Sequence, residues 1–102
     1  MKIQLKRTGG FTGIPLNVSV DADQYDEKER AALSALVEAA QFFSLPEKIQ
    51  SASPGADRFL YRITVETPEK DHTVEVGESV MPDSLQPLIM HVISLGRAAR
   101  KQ

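Results

Sequence analysis

The fold is decided by the stretch Arg58-Phe59-Leu60-Tyr61-Arg62-Ile63-Thr64-Val65-Glu66, the longest alternating run in the chain. Its odd-numbered positions are aromatic or β-branched, whereas its even-numbered positions are charged or polar apart from Leu60. Alternation of these residue types is typical of a β-strand with one buried and one solvent-facing side. We therefore predict a strand whose apolar side forms the floor on which helices pack.

Two shorter alternating runs, residues 2–7 and 14–20, lie upstream of this strand and flank a glycine-rich link. Two such runs around a short glycine-rich segment predict a β-hairpin. Residues 72–76 alternate again after a turn at residues 67–71, which predicts a second hairpin with the central strand.

Helical spacing of apolar residues appears twice. The first helix is predicted from Glu27 to Phe43, with Asp26 and Glu29 as a capping box. The second is predicted to begin at a cap formed by Asp83 or Ser84, with Pro87 tolerated in its first turn.

These elements predict a single α+β domain over residues 1–102, with the order ββαββα. Strands with one polar side predict a four-stranded antiparallel sheet that carries both helices on one face. If the first helix runs back along the sheet, the links at 8–13, 44–57 and 77–82 converge on one end. The predicted core comprises Ile3, Leu5, Leu16, Val18, Leu36, Val37, Ala40, Phe59, Tyr61, Ile63, Val65, Leu88, Ile89 and Val92.

Composition excludes several classes of protein. The 102 residues contain no cysteine, so disulfides do not stabilise the fold, which suits a reducing compartment. No signal peptide or membrane helix is expected, which favours a cytoplasmic location unless another route exports the protein. A net charge of −2 argues against binding nucleic acid.

Catalysis and metal binding have little support in the sequence. No nucleophile motif and no zinc-protease motif occur, so we expect neither an enzyme nor a bound metal or cofactor. His72 and His91 are expected to be packing or surface residues, although Asp57 and His72 are chemically able to ligate a metal. The aspartates at 21, 23 and 26 fail the calcium-loop pattern, because Asp26 occupies the glycine position.

The glycine-rich link Gly9-Gly10-Phe11-Thr12-Gly13 has two interpretations. In the first, glycines permit positive φ angles in a hairpin whose Phe11 folds back onto the core. In the second, a narrow hairpin tip presents Phe11 to a protein partner, since an aromatic anchor is a common energetic centre of interfaces. The sequence leaves both open.

A second candidate surface is the polar side of the sheet. Lys2, Lys6, Arg58 and Arg62 are predicted to share it, which suits an acidic partner, although Glu66 and Glu75 dilute the positive charge.

Three blocks of sequence, together with Pro87-Leu88-Ile89 in the last helix, resemble a known family. The blocks are Arg7-Thr8-Gly9-Gly10-Phe11-Thr12-Gly13-Ile14, Leu36-Val37-Glu38-Ala39-Ala40-Gln41-Phe42-Phe43-Ser44-Leu45-Pro46 and Pro54-Gly55-Ala56-Asp57-Arg58-Phe59-Leu60-Tyr61-Arg62-Ile63-Thr64-Val65-Glu66. In this order they resemble emfourin, a bacterial protein inhibitor of thermolysin-like metalloproteases such as protealysin.

The resemblance implies that the partner is a thermolysin-like zinc metalloprotease whose cleft this chain, as a monomer, blocks. Combined with the predicted topology, it makes two loops candidates for protease binding. Their residues are Gly9, Gly10, Phe11, Thr12, Gly13, Ser53, Pro54, Gly55, Ala56, Asp57 and Arg58. The alternative is a regulatory module that binds an acidic partner through the basic side of the sheet.

Overall fold

The computed structural model describes residues 1–9, 15–50 and 59–100 of the chain. Five strands form one mixed sheet: β1 (Lys2–Gly9), β2 (Leu16–Asp21), β3 (Lys48–Ile49), β4 (Phe59–Glu66) and β5 (Asp71–Gly77). Two helices, α1 (Glu27–Ala39) and α2 (Gln86–Arg100), complete an α+β fold. Within the described residues, no helix is long and apolar enough to span a membrane.

The sheet has the strand order β2-β1-β4-β5-β3. The pairs β1–β2, β1–β4 and β4–β5 are antiparallel, as predicted, whereas β3 pairs with β5 in parallel. The prediction of four antiparallel strands was therefore wrong by one strand. β3 consists of two residues, too few for any alternation to appear in the sequence, and only its pairing with β5 makes it a strand.

β4 has the predicted phase, because Tyr61, Ile63 and Val65 are buried and Arg62 and Glu66 are exposed. Side chains from both helices join the buried side of the sheet in one core, so both helices cover the same face of the sheet. The opposite face, called here the outer face, is mostly polar. Buried apolar residues form the core: Ile3, Leu5, Val18, Val20, Ala22, Leu33, Val37, Ala40, Phe42, Tyr61, Ile63, Val65, Val74, Val76, Leu85, Leu88, Ile89, Val92 and Ile93. Leu16, Leu36 and Phe59 are partly buried against this core rather than fully inside it.

The start of α1 follows the prediction and its end does not. The Asp26 carboxylate accepts a hydrogen bond from the Glu29 backbone N–H at 2.9 Å and caps the helix. α1 ends at Ala39 rather than at Phe43, because Gln41 adopts a left-handed conformation with φ 48°. A 3₁₀ segment, Phe42–Ser44, follows and places Phe42 in the core.

The beginning of α2 also differs from the prediction. Pro87 lies in its first turn, as expected, but the helix begins at Gln86 and Leu85 precedes it. The backbone N–H groups of Leu85 and Gln86 both donate to the carbonyl of Pro82, so Asp83 and Ser84 lie in a turn before the helix. Leu85 is buried, which indicates that core packing fixes this entry.

α2 approaches the sheet closely at Gly96. A Cβ atom built on Gly96 would lie 2.8 Å from both Cγ atoms of Val18 in β2. Real Cβ contacts are longer than this, so the absence of a side chain at Gly96 permits the helix to pack on β2.

Candidate functional site

The strand register brings three chain connections to one end of the sheet, called here the upper end. Gly9 at the end of β1 pairs with Phe59 at the start of β4, and Leu60 pairs with Gly77 at the end of β5. β3 runs parallel to β5, with Ile49 beside Val76, so it also leads towards the upper end. The predicted convergence therefore holds for the links at 8–13 and 77–82 and for the end of the link at 44–57, where β4 begins.

The path by which the chain reaches the upper end differs from the prediction. α1 does not carry it there, because the 3₁₀ segment after α1 contacts the opposite, lower end of the sheet. The Lys70 ammonium lies 4.4 Å from the centre of the Phe43 ring, and His72 Nε2 lies 2.7 Å from the Leu45 carbonyl oxygen. The link predicted over residues 44–57 thus starts at the lower end, and β3 brings the chain upwards.

Only Gly9, among the predicted protease-binding residues, is described. It ends β1, is exposed and has φ 98°, a left-handed conformation that favours glycine. The positive φ that the glycine-rich link predicts is thus confirmed at Gly9. The other predicted binding residues lie outside the described residues: Gly10, Phe11, Thr12, Gly13, Ser53, Pro54, Gly55, Ala56, Asp57 and Arg58.

A cation–π contact joins the bases of the two predicted binding loops. The Arg7 guanidinium carbon lies 4.7 Å from the centre of the Phe59 ring. Arg7 is two residues before Gly9, and Phe59 directly follows the predicted Ser53–Arg58 loop. Because Gly9 pairs with Phe59 and Arg7 with Tyr61, the two side chains meet diagonally on the helix side of the sheet.

Sequence pattern alone predicts Phe59 as a core residue and predicts no contact for Arg7. Predicting this contact requires the register between β1 and β4, because an arginine and an aromatic residue on neighbouring strands meet only in some registers.

Half-buried apolar side chains surround the upper end. Leu16 and Phe59 pack against the core from the helix side, as does Met81. Leu60 lies on the outer face and is also half-buried. A 3₁₀ segment, Glu78–Val80, packs against β4 at the same end. Protein-binding surfaces commonly combine partly exposed apolar side chains with neighbouring polar groups, as the upper end does.

The outer face is not the basic surface that the sequence suggested. The described strands place Lys2, Lys6, Lys48 and Arg62 there, together with Asp21, Glu66, Asp71 and Glu75. Four cations and four carboxylates give this face no net charge. Lys2 pairs with Asp21 on one side and Glu66 on the other, so it does not join Lys6 and Arg62 in a basic cluster. Arg58 lies outside the described residues.

Both histidines have structural partners. His72 Nε2 contacts the Leu45 carbonyl oxygen, and its ring lies edge-on to Phe42 at 5.6 Å. His91 Nε2 lies 2.8 Å from a carboxylate oxygen of Glu29 and thereby links α2 to α1. The prediction that they are packing or surface residues is confirmed.

The aspartates of the rejected calcium loop have structural roles as well. The Asp21 carboxylate accepts from the Asp23 backbone N–H at 3.0 Å, and Asp26 caps α1. Within residues 1–9, 15–50 and 59–100, no group of three or more potential ligands is placed to hold a metal ion.

Comparison with known proteins assigns the chain to a family. Searches of curated proteins and of solved structures found no match. A comparison with protein families matches residues 5–93 to Emfourin. The match spans most of the chain, from within β1 to the middle of α2, and includes all of β2, β3, β4 and β5. The protein belongs to the Emfourin family.

Proposed function

We propose that this protein is an inhibitor of thermolysin-like zinc metalloproteases and that its upper end enters the active-site cleft. The observation that carries the proposal is the Emfourin match over residues 5–93. The match covers most of the sheet and the connections that leave its upper end. On this proposal the chain is not an enzyme.

The binding surface comprises the loops Gly9–Gly13 and Ser53–Arg58. Support comes from the pairing of Gly9 with Phe59, which attaches both loops to adjacent backbones. Glycines let a loop enter a narrow cleft without side-chain bulk, and Phe11 provides one large apolar group for a protease subsite.

Rigid attachment reduces the entropy lost on binding. β1 and β4 are central strands with neighbours on both sides, and Arg7 packs on Phe59 between the loop bases. Binding residues that extend from such strands lose less conformational entropy when the complex forms, which strengthens binding.

Inhibition by this route requires no chemistry from the inhibitor. Loops that fill the cleft exclude the substrate and the attacking water from the zinc ion of the protease. Exclusion depends on complementary shape and on an apolar anchor, and it does not require a ligand to the metal. The protein therefore acts as a competitive blocker in a one-to-one complex.

The alternative, a regulatory module with a basic sheet face, has lost support. The outer face carries equal numbers of described cations and carboxylates, and Lys2 is flanked by acidic residues. A module of that kind depends on bulk charge, so its affinity falls steeply as salt rises.

The proposal is tested by titrating a thermolysin-like metalloprotease with the protein and measuring cleavage of a small peptide substrate. Well above the dissociation constant, cleavage should stop near one equivalent of inhibitor, and this end point should not depend on salt. A serine protease under the same conditions is the control and should keep its activity. Continued metalloprotease cleavage at a large excess of inhibitor contradicts the proposal.

A further inference from the structure

Charges on the outer face are sorted along the strands. The row of paired residues nearer the upper end contains Lys6, Arg62, Glu75 and Lys48, on β1, β4, β5 and β3. Three cations and one carboxylate give these four residues a charge of +2, and Glu47, which lines a hollow together with Lys48 and Arg62, lowers the charge of this region to +1. We call these four residues the upper charged row.

The lower end of the same face has the opposite sign. Its row contains Asp21, Lys2, Glu66 and Asp71, on β2, β1, β4 and β5. One cation and three carboxylates give a charge of −2. These four residues form the lower charged row.

A neutral row separates the two. It consists of Ser19, Gln4, Thr64 and Thr73, and the hydroxyl groups of Thr64 and Thr73 are hydrogen-bonded at 2.8 Å. Along β1 the charged rows are four residues apart, from Lys2 to Lys6, or about 13 Å at about 3.3 Å per residue. This distance exceeds the screening length of about 8 Å at physiological salt. A partner that approaches the upper end is therefore influenced mainly by the upper charged row.

The cations of the upper charged row are open to a partner. Lys6, Arg62 and Lys48 are all exposed. Lys6 and Arg62 also border a shallow hollow of about 430 Å³ on the outer face, whose other walls include Gln4, Asn17 and Ser19. The hollow and its two cations lie beside the half-buried Leu60, which belongs to the apolar surroundings of the upper end.

We propose that the upper charged row is a docking surface for carboxylates on the rim of the target protease cleft, and that it orients the inhibitor for entry by its upper end. This inference rests on the proposed function. The partner is identified by charge complementarity: a cationic row beside the inserting loops fits an acidic rim beside the cleft. The lower charged row repels the same rim and disfavours the inverted approach.

The row acts on the rate of association more than on the lifetime of the complex. Exposed charges remain hydrated and contribute little to the energy of a formed interface. They do act at distances of several ångströms during the encounter, where complementary fields accelerate association. The apolar upper end then sets the rate of dissociation.

The test compares neutral substitutions in the two rows by stopped-flow inhibition of a thermolysin-like metalloprotease. Lys6→Gln/Arg62→Gln should lower the association rate constant about threefold in physiological salt, where the two rows act separately, and less than about twofold in 0.5 M salt. Its dissociation rate constant should change less than about twofold. Lys2→Gln, which removes a lysine from the same strand in the lower charged row, should leave association nearly unchanged.

Glu75→Gln supplies a change of opposite sign. It raises the charge of the upper charged row and should accelerate association in low salt. Melting temperatures measured for every variant correct the active concentration for unfolded protein. Equal effects of Lys2→Gln and Lys6→Gln/Arg62→Gln, or slower association of Glu75→Gln, would overturn the docking surface while inhibition by the unaltered protein still supports the proposed function. Failure of the unaltered protein to inhibit would overturn both.

Discussion

The two ends of the sheet are built differently. At the lower end, Phe42 is fully buried, His72 contacts both Phe42 and the Leu45 carbonyl, and Lys70 lies over Phe43. At the upper end, Gly9 has a left-handed backbone, and Arg7 on Phe59 is the cation–π contact between the loop bases.

This difference separates stability from binding. The lower end buries large side chains and satisfies polar groups, so substitutions there should cost folding energy without altering the inhibitory surface. The upper end leaves apolar side chains half-exposed, which lowers the stability of the fold but would provide contacts for the proposed partner. Of the next three predictions, which run from the largest effect to the smallest, the first and the third test this separation and the second tests the packing of α2 on the sheet.

Phe42→Ala tests the lower end. Phe42 is 1% exposed, and removing its ring leaves a cavity in the core, so the free energy of unfolding should fall by about 3–5 kcal/mol. Phe43→Ala is the matched control, because Phe43 is only partly buried and should cost distinctly less. Denaturant unfolding measures both. Inhibition, corrected for the folded fraction, should be unchanged, and a lasting loss would mean that the lower end takes part in binding.

Gly96→Ala tests the packing of α2 on β2. The new methyl group would collide with both Cγ atoms of Val18, at a cost of about 1–3 kcal/mol, of which alanine's better helix propensity offsets about 1 kcal/mol. We expect a small net loss of stability. Val18→Ala should cost less in the Gly96→Ala background than alone. Additive losses in this double-mutant cycle would contradict the close approach.

Arg7 and Phe59 test the upper end. A double-mutant cycle with Arg7→Gln and Phe59→Leu should give a coupling of about 0.5–1 kcal/mol in the free energy of unfolding. Arg7→Lys should retain part of it, because a cation remains above the ring. If the pair also positions the loops, Arg7→Gln should weaken inhibition several-fold. No coupling in either measurement would show that the contact contributes nothing.

The sequence was sufficient where local pattern and tertiary structure agree. Ile63 and Val65 are buried because period-two alternation matches a sheet with one covered face. Asp26 caps α1 because a short acidic side chain reaches backbone N–H groups at a helix start. The links at 8–13 and 77–82 meet the start of β4 at the upper end as predicted, because antiparallel strands reverse direction each time, whereas the start of the link at 44–57 lies at the lower end.

Most of the failures depend on contacts between residues distant in sequence, and the end of α1 is a local exception. Gln41 takes a left-handed conformation without a glycine to signal it. β3 exists only through its pairing with β5. The contact of Arg7 with Phe59 and the sorting of charge on the outer face both require the register between strands, which sequence pattern alone does not supply.

The most direct test of the account is the Phe11→Ala variant, measured for both inhibition and stability. If Phe11 fills an apolar subsite of the protease, its loss removes about 2 kcal/mol of binding energy, and the inhibition constant should rise about thirtyfold or more. The same proposal expects the melting temperature hardly to move, because a Phe11 that serves the protease would support little of the core. A clear fall in melting temperature, with near-normal inhibition after correction for unfolded protein, would contradict the account and place Phe11 in the core.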